Sequence, residues 1–327
     1  MRVCIVVPYY QRQRGILRRA LCSVFEQECT ATLRIVIVDD SSPVPAAQEL
    51  ETLSIPAHCT IDVIIQANGG PGAARNRGLQ AAGADVDYLA FLDSDDIWSS
   101  THLGNALAAL TAGFDFYFSD HYQLGQTVGA FERAGRLDPS VHPVIGEFSM
   151  LHRFEGDMFG QIVMGNVIGT STVVYDFPHF STLRFREDLR KGGEDYLFWI
   201  EFARAGARFA FSSECEVRYG DGVNIYTGSG WGTEGHLARI FDEMKYRKYL
   251  GSDYVLDSTQ RAVVTRHIGV LREAFVKGLL HRLVRWERIP ATLLWAYVRL
   301  DPASLLSFIP LTWKMATKRK WHAPRSP

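Results

Sequence analysis

Four short apolar runs, each breaking off into polar residues, dominate the first hundred positions: "VCIVVPYY" (3–10), "LRIVIVDDSS" (33–42), "TIDVIIQANGG" (60–70) and "VDYLAFLDSDD" (86–96). The segments between them have helical spacing. "RGILRRALCSVFEQ" puts Ile16, Leu17, Leu21, Val24 and Phe25 on one face, and "GPGAARNRGLQAAG" follows the third run. A strand that is apolar at nearly every position must be covered on both faces, and helices alternating with strands supply that cover. The expected fold is α/β, a mostly parallel central sheet flanked by helices, with ligands bound beyond the carboxyl ends of the strands. Those ends carry "PYYQR", "VDDSS", "NGGPGAARNRG" and "DSDD".

Beyond residue 98 the pattern loosens. "GFDFYFSDHYQLG", "TSTVVYDF" and "RFAFSSECEVRYG" are strand candidates, "EDYLFWIEFARAGA" is a helix, and 126–165 is an irregular excursion. From residue 236 the sequence is helical to the end. The expected domains are therefore 1–235, in two parts, 1–98 and 99–235, and a helical C-terminal region, 236–327. A formal net charge of −1 argues against a nucleic-acid partner. Five cysteines without a C-x-x-C pair suggest neither zinc nor a disulfide framework. No segment has the length of a membrane span and the N-terminus does not resemble an export signal, so a cytoplasmic location is expected.

Asp93, Asp95 and Asp96 crowd three carboxylates behind one apolar run. Like charges this close need a compensating cation, proton or base. Oxygen ligands suit Mg²⁺ or Mn²⁺; a turn in which Ser94 or Asp96 caps the following helix is the competing reading. The glycine-rich piece has neither the ending of a P-loop nor the spacing of a dinucleotide site. Its arginines, Arg75 and Arg77, suit a phosphate or a base carbonyl, or else a solvated helix face. At "GGEDYLFW", Glu194 and Asp195 stand where acids favour any helix N-terminus.

Taken in order, "VVPYYQRQRGILRRALCSVFEQ", "IVIVDDSS", "GGPGAARNRGL", "LAFLDSDDIW" and "LRFREDLRKGGEDYLFWIEFARAG" resemble the successive blocks of family-two glycosyltransferases with the GT-A fold. "PYYQRQRGILRRAL" and "YGDGVNIYTGSGW" are also similar to bacterial glucosyltransferases of succinoglycan-type exopolysaccharide assembly. The resemblance implies roles: residues 1–98 would bind the nucleotide and 99–235 the acceptor. Pro8, Tyr9 and Asp39 would hold the nucleotide base, with Asn68 and Arg75 beside them. Asp93 would face the ribose or donor sugar and share with Asp95 a Mn²⁺ or Mg²⁺ ion. Asp195 would be the general base and Glu194 would bind the acceptor. Arg218, Asn224 and Trp231, in a glycine-rich segment suited to a lid, would contact phosphate or sugar. The implied reaction is inverting transfer from UDP-glucose to a glycan or lipid-linked oligosaccharide. Two rivals stay open: a haloacid-dehalogenase-type phosphatase using Asp93 as nucleophile, and a non-catalytic sugar-binding protein on the same scaffold.

The C-terminal tail differs in charge. From His281 onward nine Lys and Arg face two acids, Glu287 and Asp301, among recurrent Trp, Leu and Ile. That composition suits helices on the inner-membrane surface over residues 281–327. Packing on the catalytic domain, or in a homodimer, is the alternative.

Overall fold

The computed structural model describes residues 1–223 and 230–317. Its strands are β1 (Arg2–Tyr9), β2 (Thr32–Asp39), β3 (Cys59–Ile65), β4 (Tyr88–Phe91), β5 (Ile97–Trp98), β6 (Phe116–Tyr122), β7 (Val144–Ile145), β8 (Phe148–Arg153), β9 (Val174–Asp176) and β10 (Phe209–Arg218). The helices are α1 (Ile16–Phe25), α2 (Ala46–Leu50), α3 (Pro71–Ala81), α4 (His102–Thr111), α5 (Ala130–Ala134), α6 (Met158–Gly165), α7 (Phe177–Phe180), α8 (Glu194–Arg204), α9 (Glu234–Asp253), α10 (Ser258–Val284), α11 (Ala291–Leu300) and α12 (Ala303–Thr317). The chain divides into two units, Met1–Arg190 with Glu194–Val223, and Lys191–Gly193 with Asn224–Pro327.

In the first unit the described strands form one sheet in the order β3-β2-β1-β4-β9-β6-β10-β8-β7, with β5 paired to β10. The four apolar runs make its parallel half, and Tyr9 lies level with Asp39 at the carboxyl end. Val3 through Val7 are wholly buried, as covering on both faces requires. Leu17, Ala20, Leu21 and Val24 of α1 join Val3, Ile5 and Val7 in one core. On the opposite face α3 comes so close that a Cβ at Gly78 would lie 2.2 Å from Val6.

The other half of the sheet is mixed. β9 runs antiparallel to both β4 and β6, so the chain enters it, rather than leaves it, at the rim where the parallel strands end. Residues just before β9 therefore reach that rim, which the period of an apolar run does not disclose. The excursion from 126 to 165 supplies α5, the β7–β8 hairpin and α6. Rings of Phe91, Phe116, Tyr175, Phe185, Phe198, Trp199 and Phe202 pack edge-to-face and stacked at centroid distances such as 3.9 Å for Phe185–Phe198 and 4.9 Å for Phe116–Phe202. This aromatic block fixes α8 against the sheet, and with it the acids of its first turn.

The second unit is helical. Leu237, Ile240 and Met244 of α9 close a small core with Leu271, Phe275 and Leu279 of α10 and Tyr297 of α11. Asp301, buried after α11, accepts hydrogen bonds from Lys248 at 2.8 Å and from Arg272 at 2.5 and 2.8 Å. Among the described residues no helix is long and apolar enough to cross a membrane.

Candidate active site

The rim is organised around one buried cation. Arg75, 3% exposed, donates from one terminal nitrogen to Asp93 Oδ1 at 2.7 Å and from the other to Glu194 Oε1 at 2.9 Å. Its guanidinium lies 5.4 Å from the centre of the Phe185 ring. Small residues let α3 come this close: a Cβ at Gly72 would stand 3.2 Å from the Arg186 carbonyl and 3.6 Å from Glu194 Cγ. Two acids about a hundred residues apart in the chain are thus held by one planar fork. Buried and donating to both acids, Arg75 is placed to hold the two carboxylates in position. Arg77 is exposed on α3.

The "DSDD" turn is built from outside itself. Ser171 Oγ accepts from the Asp93 N–H at 2.9 Å and donates to Asp96 Oδ2 at 2.5 Å, and its carbonyl accepts from the Trp98 indole at 2.6 Å. Gly220 N–H donates to Asp96 Oδ1 and Gly222 N–H to Asp95 Oδ2, each at 3.0 Å. Only glycine permits that approach, since a Cβ at Gly220 would fall 1.7 Å from the Asp95 carbonyl and one at Gly222 2.6 Å from Asp95 Cβ. The helix-cap reading is corrected here. β5 follows the turn, α4 starts only at His102, and Thr101 is its N-cap, so neither Ser94 nor Asp96 performs that service.

Burial pushes Asp95 up from the ordinary carboxylate range to about 6, with Asp93 adding repulsion, and raises Asp96 well above it for the same reasons. These groups are poor anions until something positive arrives. Among the described residues, Asp93 Oδ2 and Asp95 Oδ1 accept from no other residue, and no group of three or more His, Cys, Asp or Glu side chains could cage a metal. Two free carboxylate oxygens fit a Mg²⁺- or Mn²⁺-type ion, which takes one or two carboxylates and completes its shell with phosphate oxygens and water.

At the start of α8, Asp195 is half-buried and accepts from Thr170 Oγ1 at 3.3 Å and from the Tyr196 N–H at 2.8 Å. Glu194 is buried, and among the described residues its Oε2 has no hydrogen-bond partner. Desolvation raises both acids, Glu194 to about 7 with Asp195 adding to its shift; Arg75 opposes the rise in each.

Gln11 and Asp40, which no motif singles out, tie the base-side loops together. Gln11 donates to Ser94 Oγ at 3.1 Å and accepts from the Val223 N–H at 2.9 Å. Asp40 accepts from Gln66 and from the N–H groups of Gly69 and Gly70, at 2.7–2.8 Å. Asp39 is also buried, its two oxygens accepting from the Ser42 and Ala46 N–H groups. Asn68 donates to the Asp40 carbonyl and accepts from Arg190 at 2.6 Å. Pro8 is half-buried at the rim, but Tyr9 is 1% exposed within the core, so its ring is not available to stack on a base. Arg218 is exposed, its guanidinium 4.9 Å from the centre of the Tyr122 ring. Trp231 belongs to the second unit, packed on His281 at 4.1 Å. Asn224 lies outside the described residues.

A parallel half-sheet with paired acids at its rim faces a carboxylate pair on α8, and solved GT-A-type glycosyltransferases share this fold. S. aureus TarS 1-349 in complex with UDP-GlcNAc aligns with a TM-score of 0.56 at 16% identity over 98% of this chain and 94% of that one. Mannosyltransferase PcManGT from Pyrobaculum calidifontis, in complex with GDP-Man and Mn²⁺, aligns with a TM-score of 0.55 at 14% identity over 97% and 88%. The model of glycosyl transferase family 2 matches residues 4–183. Succinoglycan biosynthesis protein ExoW of Rhizobium meliloti (strain 1021) is 35% identical over 239 residues, 69% of this chain and 70% of that protein. Of two glycosyltransferases from Rickettsia the chain spans 34% of the length. The chain belongs to glycosyl transferase family 2 and is a glycosyltransferase; the phosphatase reading falls.

Proposed function

We propose that the chain moves glucose from UDP-glucose onto a glycan or lipid-linked oligosaccharide in exopolysaccharide assembly, with inversion at the anomeric carbon. The observation that carries this is the Asp93–Arg75–Glu194 bridge, which ties the donor-side acids to the pair suited to an acceptor. The likeness to a succinoglycan biosynthesis protein supports the pathway, and the UDP-GlcNAc and Mn²⁺ complexes of the structural neighbours support the donor class and a divalent cation.

In this reading Asp93 and Asp95 would hold the cation, which when bound would neutralise charge on the diphosphate leaving group. Asp195 takes the proton of the attacking hydroxyl while that oxygen bonds to the anomeric carbon and the bond to the β-phosphate oxygen breaks. Asp195 suits this better than Glu194, being half-exposed while Glu194 is buried against Arg75. The unpartnered Glu194 Oε2 is an acceptor that a sugar hydroxyl would satisfy. Pro8 and Asn68 border the base, with Tyr9, Asp39 and Arg75 acting through the loops and acids they hold; Arg218 is the candidate for the phosphate side. A single base without a second nucleophile gives one in-line displacement and a β-linked product from an α-linked donor.

The test is a donor screen across UDP, GDP and dTDP sugars with Mn²⁺ or Mg²⁺. Cation-dependent consumption of a UDP-sugar is expected, strongest for UDP-glucose. Failure of every donor would overturn the reading.

A further inference from the structure

The second unit leaves a stripe of large apolar side chains uncovered. On α12, Leu305, Ile309 and Trp313 recur every four residues, and Leu306, 81% exposed, flanks them. Trp295 of α11 is exposed as well, and Trp286, after α10, is 96% exposed. A water-facing helix would present polar residues here, so this surface departs from the normal pattern. The surrounding charge is mostly positive. Arg285, Arg288 and Arg299 are exposed, the last with its guanidinium 5.3 Å from the Trp295 ring. The two acids of the region are engaged, Asp301 by Lys248 and Arg272, and Glu287 by Arg282 at 3.2 Å. The sequence after α12 continues with Lys318, Arg319, Lys320 and Arg325 and holds no acid.

We infer that this face docks on an anionic lipid surface, inserting Trp286, Trp295, Leu306 and Ile309 at the headgroup boundary while the arginines meet lipid phosphates. Indole rings prefer that boundary, and apolar insertion together with cationic attraction gives the two signals that stable adsorption needs. A second copy of the chain would bring the same arginines against themselves, an arrangement that like-charge repulsion disfavours.

Sedimentation of the full chain with vesicles tests this. The wild type is expected to pellet with phosphatidylcholine vesicles carrying about a third phosphatidylglycerol, several-fold more than with phosphatidylcholine alone, and to be released by high salt. The double variant Leu306→Glu with Ile309→Glu should lower the bound fraction at least ~tenfold, and Trp286→Ala should lower it several-fold. Circular dichroism should show both variants folded. Equal pelleting of wild type and folded variants would overturn the inference. So would a wild-type dimer in sedimentation velocity that the double variant converts to monomer, which would make a second copy the occupant.

Discussion

Asp195→Asn should bind nucleotide sugar within about threefold of the wild-type Kd yet transfer ~10²–10⁴-fold more slowly, the range over which a positioned base accelerates a proton transfer. The two carboxylates at the start of α8 make this informative. Asp195 contacts Thr170 and the backbone, whereas Glu194 is locked to Arg75. Glu194→Gln should therefore weaken acceptor binding more than it slows the chemical step. Both acids are raised by burial, so the wild-type rate should fall as pH drops toward the ordinary carboxylate range, and Asn at 195 should flatten that limb. Calorimetric titration with donor and single-turnover rates separate the two effects. An Asp195→Asn enzyme with undiminished turnover would remove the residue from the chemistry.

Asp95→Asn is expected to stabilise the metal-free protein and abolish its function. The sign follows from the raised pKa. In the folded chain Asp95 holds its proton up to about pH 6, against 3.8 for the free side chain. Its contribution to stability is therefore fully present below the lower value and lost as pH rises through the upper one. At pH 7.5 the buried anion costs on the order of 1–2 kcal/mol once its partial exposure is allowed for. The amide should raise the melting temperature there by a few degrees, with little change at pH 4. A nucleoside diphosphate with Mn²⁺ should raise the wild-type melting temperature at pH 7.5 and leave the variant nearly unmoved. Melting curves at the two pH values check this; a variant less stable than the wild type at pH 7.5 would contradict it.

Much of this geometry is written locally. Apolar runs that stop at "VDDSS" and "DSDD" announce the rim of a parallel sheet, and "GGEDYLFW" announces a helix opening on two acids, because strand length and helix start are short-range properties. The partners of those acids are not short-range. Arg75 reads as a phosphate or base ligand until α3 is seen against Glu194, 119 residues on. Ser171 sits in "TSTVVYDF", which reads only as a strand, and the antiparallel course of β9 delivers it to Asp93 and Asp96. "VDDSS" offers two adjacent acids without ranking them; in the fold Asp39 shapes its own turn while Asp40 holds the glycine-rich loop. Tyr9 looked suited to stacking because alternation puts it on the face of Val3, Ile5 and Val7 without showing that this face is still covered at the end of β1.

The central claim is that the Arg75-linked acids form one centre for direct displacement at a sugar carbon. Proton NMR of a UDP-α-hexose incubated with the enzyme, divalent cation and an oligosaccharide acceptor tests it most directly. The account predicts loss of the donor's α-anomeric signal, stoichiometric release of UDP and a new signal with the large coupling of a β-glucoside. A product that retains the α configuration, or hexose 1-phosphate in place of a glycoside, would contradict it.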